Sequence, residues 1–150
     1  MDSFGFREFL TASSKPGPPL STVSILVADD HEAWRCKVRQ ILGSRAEWTV
    51  LYEACDGLQA VQKAVEQCPD VVLLDIAMPR LNGIAAAKII RQNSPNCKVL
   101  FVTLNSDVCV RSAALDSGAR GYVLKAQAAK ELLPAIECAL CDGGAASGAA

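Results

Sequence analysis

The chain has 150 residues, of which 51% are hydrophobic and 21% charged, and its formal net charge is −1. This composition is typical of one globular domain and excludes an intrinsically disordered chain. The near-neutral charge gives no basis for bulk electrostatic binding to nucleic acid or to a membrane, and no apolar run is long enough to cross a bilayer. The first ten residues lack the basic-then-apolar order of a signal peptide, so a cytoplasmic location is expected.

The two ends of the chain differ in composition from the middle. Residues 1–22 include a stretch rich in Pro, Ser and Gly, and residues 142–150 are almost entirely Gly and Ala. Such segments have little to pack and are typical of flexible linkers. We therefore expect a flexible leader at 1–22, a single folded domain at 23–141 and a flexible tail at 142–150.

Within the middle segment, five apolar stretches alternate with five stretches that have helical periodicity. The predicted strands are 23–28, 48–54, 71–74, 97–103 and 121–124, and the predicted helices are 32–43, about 58–67, 84–92, 107–117 and 128–141. The third strand is apolar at every position, which indicates burial on both faces and hence a parallel sheet covered by helices. The alternation predicts a doubly wound α/β domain with right-handed crossovers.

Polar side chains follow four of the five predicted strands where each strand ends. Asp29 and Asp30 follow the first, Asp75 the third, Thr103 ends the fourth and Lys125 follows the fifth. Because parallel strands end at one edge of a sheet, which is where ligands bind in open α/β folds, these side chains are expected to lie together.

Three converging carboxylates would repel one another and raise one another's pKa values unless a cation lies among them. Mg²⁺, a hard ion with oxygen ligands, would resolve this repulsion. One carboxylate would remain free to attack phosphorus, with a hydroxyl and an ammonium placed to bind the transferred phosphoryl group.

Each of these residues alone has a simpler structural interpretation. Asp75 could cap the following helix, Thr103 could be a turn residue and Lys125 a solvated surface charge. The lone His31 is interpreted as a loop residue, and Trp34 as packing on the core face of its helix. The seven cysteines are scattered through apolar segments and are expected to be small buried hydrophobes, including the pair in the C-x-x-C spacing at 138–141.

The arrangement resembles the receiver domain of two-component response regulators, in particular the NarL/FixJ (LuxR-type) subfamily, over nearly all of 23–140. The residues that carry the resemblance are Asp29-Asp30-His31 with Arg35, Asp75 with Met78-Pro79 and Asn82-Gly83, Thr103, and the segment 118–125 ending in Lys125.

The resemblance implies a flavodoxin-like (βα)5 fold with strand order 2-1-3-4-5. It implies that Asp75 is the phosphorylated residue. It further implies that Mg²⁺ is coordinated by Asp30, Asp75 and the backbone carbonyl of Ala77, with Asp29 acting directly or through water.

The resemblance also implies that Thr103 binds the phosphoryl group, that Lys125 pairs with it, and that Tyr122 is the aromatic residue that moves inward with Thr103. The implied function is a signalling switch that accepts a phosphoryl group from a sensor histidine kinase and changes the surface of helix 4, strand 5 and helix 5, a face that would also serve a homodimer. It implies no enzyme activity beyond the domain's own phosphotransfer and dephosphorylation, and no DNA or membrane contact by the domain itself.

The sequence also departs from the usual pattern of receiver domains. Receivers usually have proline after the lysine, whereas Ala126 follows here, which leaves the isomer of the Lys125–Ala126 peptide open. A helix-turn-helix is not found in these 150 residues. The chain is therefore expected to be the receiver part of a transcriptional regulator, or else a natural single-domain receiver that acts by protein contact.

Two alternative functions require residues that the sequence lacks. A Mg²⁺-dependent phosphatase of the haloacid dehalogenase type would need a second aspartate two residues after the nucleophile, where Ala77 stands. A nucleotide-binding module would need a G-x-G-x-x-G or G-x-x-x-x-G-K-[ST] motif, and the sequence has neither. The switch is the favoured function.

Overall fold

A computed structural model of the protein describes residues 22–141. The predicted tail, and all but the last residue of the predicted leader, lie outside the described residues. The strands are β1 (Val23–Ala28), β2 (Trp48–Ala54), β3 (Val71–Leu74), β4 (Lys98–Thr103) and β5 (Gly121–Leu124), and the helices are α1 (Glu32–Leu42), α2 (Gly57–Gln67), α3 (Gly83–Asn93), α4 (Val108–Asp116) and α5 (Ala128–Cys141). Every predicted element is present, with ends that differ by at most one residue from those predicted. The prediction that the cysteines are small buried hydrophobes is wrong for most of them, because Cys97 is buried and Cys36 is partly buried, whereas the other five lie on exposed positions of helices and loops.

The five strands form one parallel sheet in the order β2-β1-β3-β4-β5. The predicted fold class, a doubly wound flavodoxin-like (βα)5 domain, is confirmed. Ala28 at the end of β1 is level with Leu74 at the end of β3, and Thr103 at the end of β4 is level with Leu124 at the end of β5. The residues after these strands therefore emerge at one edge of the sheet.

Each face of the sheet is covered by its own set of helices. Leu74 and Val72 belong to the cluster that packs on α2, α3 and α4, whereas Val71 and Leu73 belong to the cluster that packs on α1 and α5. Since successive side chains of a strand point to opposite faces, a strand between two helical layers must be apolar at every position. This is why β3 is an unbroken apolar run.

Helix starts are set by side chains that accept backbone N–H groups which have no partner inside the helix. Asp56, Asn82 and Asp107 are the N-caps of α2, α3 and α4. Such caps stabilise a helix start by about 1 kcal/mol each. All three caps end the loops that follow β2, β3 and β4, so they also help to fix these loops at the carboxyl edge of the sheet.

The connection from β5 to α5 contains an element that the sequence did not predict. Lys125–Gln127 form a single 3₁₀ turn that runs into α5. Within the described residues no peptide bond is cis, so the bond between Lys125 and Ala126 is trans. No described helix combines the length and the apolar character that crossing a bilayer requires.

Candidate functional site

The site is built on the two central strands of the sheet. The Asp29 N–H, just after β1, donates to Ala54 O (2.9 Å), and the Asp75 N–H, just after β3, donates to Ala28 O (3.0 Å). These backbone bonds continue the sheet by one residue beyond each strand. Both aspartates are buried, with 1% of Asp29 and 5% of Asp75 exposed. The structure thus brings together, inside the protein, two carboxylates that are distant in sequence.

Lys125 lies between the two buried carboxylates. Its Nζ atom is 2.6 Å from Asp29 Oδ2 and 3.2 Å from Asp75 Oδ2, and its side chain is 8% exposed. One ammonium therefore compensates two carboxylates, which leaves the buried cluster with an excess negative charge. The prediction that these three side chains would meet at the sheet edge agrees with this geometry.

Trp34 covers the ammonium of Lys125, a contact that the sequence analysis missed. The Lys125 Nζ atom lies 5.2 Å from the centroid of the Trp34 ring, within the range of a cation–π interaction. Trp34 also packs on the core beneath α1, as predicted. The position of Trp34 could have revealed this second role, because Trp34 lies in the first turn of α1, which begins two residues after Asp30.

The loop after β3 holds Asp75 by backbone hydrogen bonds. The Ile76 N–H donates to Asp75 Oδ1 (2.7 Å). Ile76 O in turn accepts the N–H groups of Gly83 (2.7 Å) and Met78 (3.1 Å). The Met78-Pro79 and Asn82-Gly83 pairs noted in the sequence are therefore the parts of one tight loop, and this loop fixes the carboxylate of Asp75 relative to β3.

The electrostatic environment of Asp75 disfavours its charged form. Burial raises the pKa of the Asp75 carboxyl; Lys125 counteracts this effect and the negative charge of Asp29 adds to it, so the net direction is upward. A buried carboxylate with a raised pKa, at an edge where ligands bind, is a common feature of functional sites.

We expect Asp75→Asn to raise the free energy of unfolding at pH 7 by on the order of 1–2 kcal/mol, because it removes an excess buried negative charge and leaves Lys125 paired with Asp29. Because the pKa of Asp75 is higher in the folded than in the unfolded protein, charged Asp75 destabilises the fold. This destabilisation grows as the pH rises from the unfolded-state pKa to the folded-state pKa. The increase in the free energy of unfolding of Asp75→Asn should therefore be complete above the folded-state pKa of Asp75 and vanish below its unfolded-state pKa. Urea unfolding of both proteins between pH 4 and 8, roughly the range in which carboxyl pKa values fall, measures it; a gain that does not change with pH would contradict the explanation.

The acidic pair and the following histidine form a cluster of possible metal ligands. One ligand atom from each of Asp29, Asp30 and His31 lies within 4.8 Å of the others. Asp29 Oδ2 is buried and, although it is ion-paired with Lys125, accepts no hydrogen bond from any described residue. A buried carboxylate beside an exposed one, in a cluster with more negative than positive charge, fits a divalent cation with oxygen ligands. Ala77, the predicted source of a carbonyl ligand, lies exposed in the loop after Asp75.

Thr103 and Tyr122 are linked through the backbone of Asn105. Thr103 is buried, and its Oγ1 accepts the Asn105 N–H (3.2 Å). The Tyr122 hydroxyl donates to Asn105 O (2.6 Å), and the Arg111 guanidinium lies 5.6 Å from the Tyr122 ring centroid. Among the contacts of the described residues, neither Thr103 nor Ala77 bonds to Asp75 or Lys125. Thr103 and Tyr122 therefore both bond to the backbone of Asn105, a link that the sequence did not indicate.

The fold and the site define a class of protein: a doubly wound domain in which a buried strand-end aspartate is paired with a lysine beside an acidic cluster. The family described as the response regulator receiver domain matches residues 25–137. The chain belongs to this family, and the receiver assignment made from the sequence is confirmed.

Relatives and solved structures agree with this membership. The transcriptional regulatory protein DegU of Brevibacillus brevis is 36% identical over 123 residues, which cover 82% of this chain and 52% of DegU. A LuxR-family response regulator from Aurantimonas sp. SI85-9A1 is 34% identical with a TM-score of 0.77, covering 81% of this chain and 86% of that one. The response regulator domain of Thermotoga maritima CheB is also 34% identical, with a TM-score of 0.75, covering 80% of this chain and 97% of that one.

These matches confirm the predicted NarL/FixJ (LuxR-type) subfamily, and the relatives' names describe regulators, not typical enzymes. The chain spans about half the length of the curated relatives it matches.

Proposed function

We propose that this domain is a phosphorylation-dependent switch in which Asp75 accepts a phosphoryl group from a sensor histidine kinase. The observation that carries the proposal is the pairing of a buried, loop-fixed Asp75 with the ammonium of Lys125, at 3.2 Å. In the transfer, the bond between phosphorus and the kinase's histidine nitrogen breaks, and a bond forms between phosphorus and a carboxylate oxygen of Asp75. The kinase histidine retains the electron pair of the broken bond.

Lys125 supplies the positive charge that the transferred group needs. Its ammonium already touches Asp75 Oδ2, so it would reach a phosphoryl oxygen attached there with little rearrangement. Trp34 limits water around the ammonium, which strengthens its electrostatic effect. We assign Lys125 the role of holding the phosphoryl oxygens and Asp75 that of the nucleophile.

The metal in this proposal is Mg²⁺, held by Asp30, Asp75 and the carbonyl of Ala77, with Asp29 directly or through water. When bound, it would supply charge neutralisation at the phosphoryl oxygens. The acidic residues of the chain would hold the ion, and the buried Asp29 keeps Lys125 in place from the opposite side. The excess negative charge of the cluster supports the binding of a cation there.

The switch itself would involve Thr103 and Tyr122. The Thr103 hydroxyl would stop accepting the Asn105 N–H and would donate to a phosphoryl oxygen, and Tyr122 would lose its bond to Asn105 O when that loop moves. Phosphorylation would thus shift an existing equilibrium at the face formed by α4, β5 and α5. We propose this face as the surface that changes partner or forms a homodimer.

The proposal also includes the regulatory output of the domain and its cellular location. The names of relatives such as DegU support a role as the receiver part of a transcriptional regulator, in which another part of the protein would contact DNA. In this proposal the domain catalyses its own phosphotransfer and dephosphorylation and no other reaction. The cytoplasmic location expected from the sequence goes with this function and stays a prediction.

The experiment that tests the proposal is intact mass spectrometry after incubation with acetyl phosphate and Mg²⁺. We expect the native chain to gain one phosphoryl group, and Asp75→Asn to gain none. The matched control is Asp116→Asn, because Asp116 is an exposed aspartate at the far end of α4, away from the carboxyl edge of the sheet. Labelling of Asp75→Asn equal to that of the native chain, or labelling that does not need a divalent cation, would refute the assignment.

A further inference from the structure

An apolar groove opens at the carboxyl edge of the sheet, beside Lys125. Its volume is about 530 Å³, and ligand pockets in proteins span about 300–1,000 Å³. The apolar part of its lining consists of Trp34 of α1, Leu104 just after β4, and Ala126 and Ala129 around the start of α5. Leu104 is 76% exposed. Because contiguous exposed apolar surface marks interaction sites, the groove is a surface for an apolar partner.

The rim of the groove carries basic side chains. His31 and Lys37 line it, and among residues 22–141 no aspartate or glutamate does. A rim of this kind favours an apolar partner that also brings a carboxylate.

The start of this chain contains such a segment. Three of the four phenylalanines in the sequence, Phe4, Phe6 and Phe9, lie within the first ten residues, and Glu8 directly precedes Phe9. Linker segments are poor in aromatic residues, whereas aromatic side chains are the usual anchors of interfaces. The composition of residues 4–10 is therefore that of a binding segment and not of a linker.

The chain between this segment and β1 is long enough to bring the two together. Residues 11–22 include Pro16, Pro18 and Pro19, and prolines favour an extended conformation. Twelve residues at about 3.1 Å each span about 37 Å. The six residues of β1 cover only about 20 Å. The segment can therefore reach the carboxyl edge from the amino end of β1.

We propose that residues 4–10 dock in this groove of their own domain, with the phenylalanine rings on Trp34 and Leu104. The docked segment covers Lys125 and the approach to Asp75, so the domain accepts a phosphoryl group only while the segment is released. Docking itself does not depend on phosphotransfer, whereas its effect on the rate rests on the proposed function.

The tether makes weak binding sufficient for this effect. A segment on a short flexible linker has an effective concentration on the order of 1 mM at its site. A segment with a Kd of about 1 mM for the groove is then docked about half of the time, which halves the rate of phosphoryl acceptance. We therefore expect an effect of at least about twofold on the rate.

The first test compares ¹H–¹⁵N NMR spectra of the full chain and of its triple-serine variant, Phe4→Ser/Phe6→Ser/Phe9→Ser. Trp34 lines the groove, whereas Trp48 lies at the start of β2 and serves as an internal reference. We expect the indole N–H resonance of Trp34 to shift in the variant and that of Trp48 to stay. The shift should be the same at all protein concentrations, because docking is intramolecular.

A peptide of residues 1–12, added to the triple-serine variant, should restore the native position of the Trp34 resonance. Leu104→Asn in the same variant should weaken peptide binding by at least about fivefold, as expected for an interface anchor. Leu58→Asn is the matched control, since Leu58 is also exposed (46%) but lies in α2, on the opposite face of the sheet. It should leave the affinity for the peptide unchanged.

The second test is the rate of phosphoryl incorporation from acetyl phosphate. The triple-serine variant should be labelled at least about twofold faster than the native chain. Leu20→Ser is the matched control, because Leu20 is an apolar residue of the leader outside residues 4–10. It should keep both the native rate and the native Trp34 resonance.

The outcomes separate docking from the proposed function. An unchanged Trp34 resonance in the triple-serine variant overturns docking and leaves the receiver function standing. A shift that grows with protein concentration overturns the intramolecular contact, because a second copy then fills the groove. A Trp34 shift with equal labelling rates overturns the covering role. A Trp34 shift in a chain that acetyl phosphate does not label overturns the proposed function and supports docking alone.

Discussion

Replacing Lys125 with methionine should lower the free energy of unfolding by about 3–5 kcal/mol at pH 7, because it leaves two buried carboxylates without their shared cation. The ammonium lies 2.6 Å from Asp29 and 3.2 Å from Asp75, and all three side chains are buried. Methionine keeps the length and apolar character of the lysine stem, so the packing against Trp34 is largely retained. The measured loss should therefore be mainly electrostatic.

The pH dependence distinguishes this explanation from a packing defect. Burial raises the pKa of Asp75, and Lys125 is the main influence that opposes the rise. Without Lys125 the folded-state pKa of Asp75 should rise further, so the destabilisation should shrink as the pH falls and the carboxyl becomes protonated. Urea unfolding at several pH values measures this trend, and a loss that stays constant with pH would contradict it.

Two further variants complete the design. Lys130→Met removes a lysine of α5 that is exposed, and it should change stability by well under about 1 kcal/mol. Adding Asp75→Asn to Lys125→Met should recover part of the lost stability, because one of the two uncompensated charges is then absent. If the double variant were less stable than Lys125→Met, the excess of negative charge would not be the cause.

Gly83→Ala is expected to destabilise the protein by at least about 2–3 kcal/mol, because backbone atoms cannot yield to the added methyl group as a flexible side chain could. A Cβ atom at Gly83 would lie 1.9 Å from the carbonyl oxygen of Asp75 and 2.8 Å from the Ile76 Cα atom. The Gly83 N–H also donates to Ile76 O (2.7 Å), so relief of the clash must break this bond. The loop that holds Asp75 would move.

The same change should reduce phosphoryl acceptance. The methyl group added at Gly83 would displace the backbone of Asp75, which carries the reacting carboxylate. A displacement of about 1 Å of a reacting group can lower a rate by about 10²-fold. The measurement is the rate of phosphoryl incorporation from acetyl phosphate, at a temperature where circular dichroism shows the variant to be folded. Native-like rates in a folded Gly83→Ala protein would show that the tight loop does not position Asp75.

Gly43 offers a matched control, since it also lies at a helix end. Its φ of −63° is allowed for alanine. A Cβ atom there would lie 3.3 Å from Gln40 O and 3.4 Å from Arg39 O, which needs an adjustment of a few tenths of an ångström at most. Gly43→Ala should therefore stay within about 1 kcal/mol of the native protein and keep the native phosphorylation rate.

Much of the site was predictable because strand ends converge in a parallel sheet. The unbroken apolar run of β3 identified a central strand, and its end identified Asp75. Once the order of strands is known, Asp29 and Lys125 must lie at the same edge, whatever their separation in sequence. The loop residues Asn82 and Gly83 were recognised by resemblance, and the structure supplies their physical roles as a helix cap and a close backbone approach.

Contacts across the site were not predictable in the same way. The helical spacing of Trp34 indicated a core face, and the same face extends over the ammonium of Lys125. His31 looked like an ordinary loop residue until its ring was found beside both carboxylates. The meeting of Thr103 and Tyr122 at Asn105 depends on the path of one loop. Each of these contacts joins side chains whose directions no local pattern specifies.

The sequence by itself determined the fold class, the order of the elements and the residues that gather at the sheet edge. These features depend on the period of apolar positions and on strand ends, and both are local properties of the chain. The tertiary structure alone decided that one ammonium serves two buried carboxylates, with Trp34 over it and His31 beside the acidic pair. Charge balance and ligand spacing depend on distances of about 3 Å between side chains from different elements, and only the packing of the helices on the sheet sets such distances.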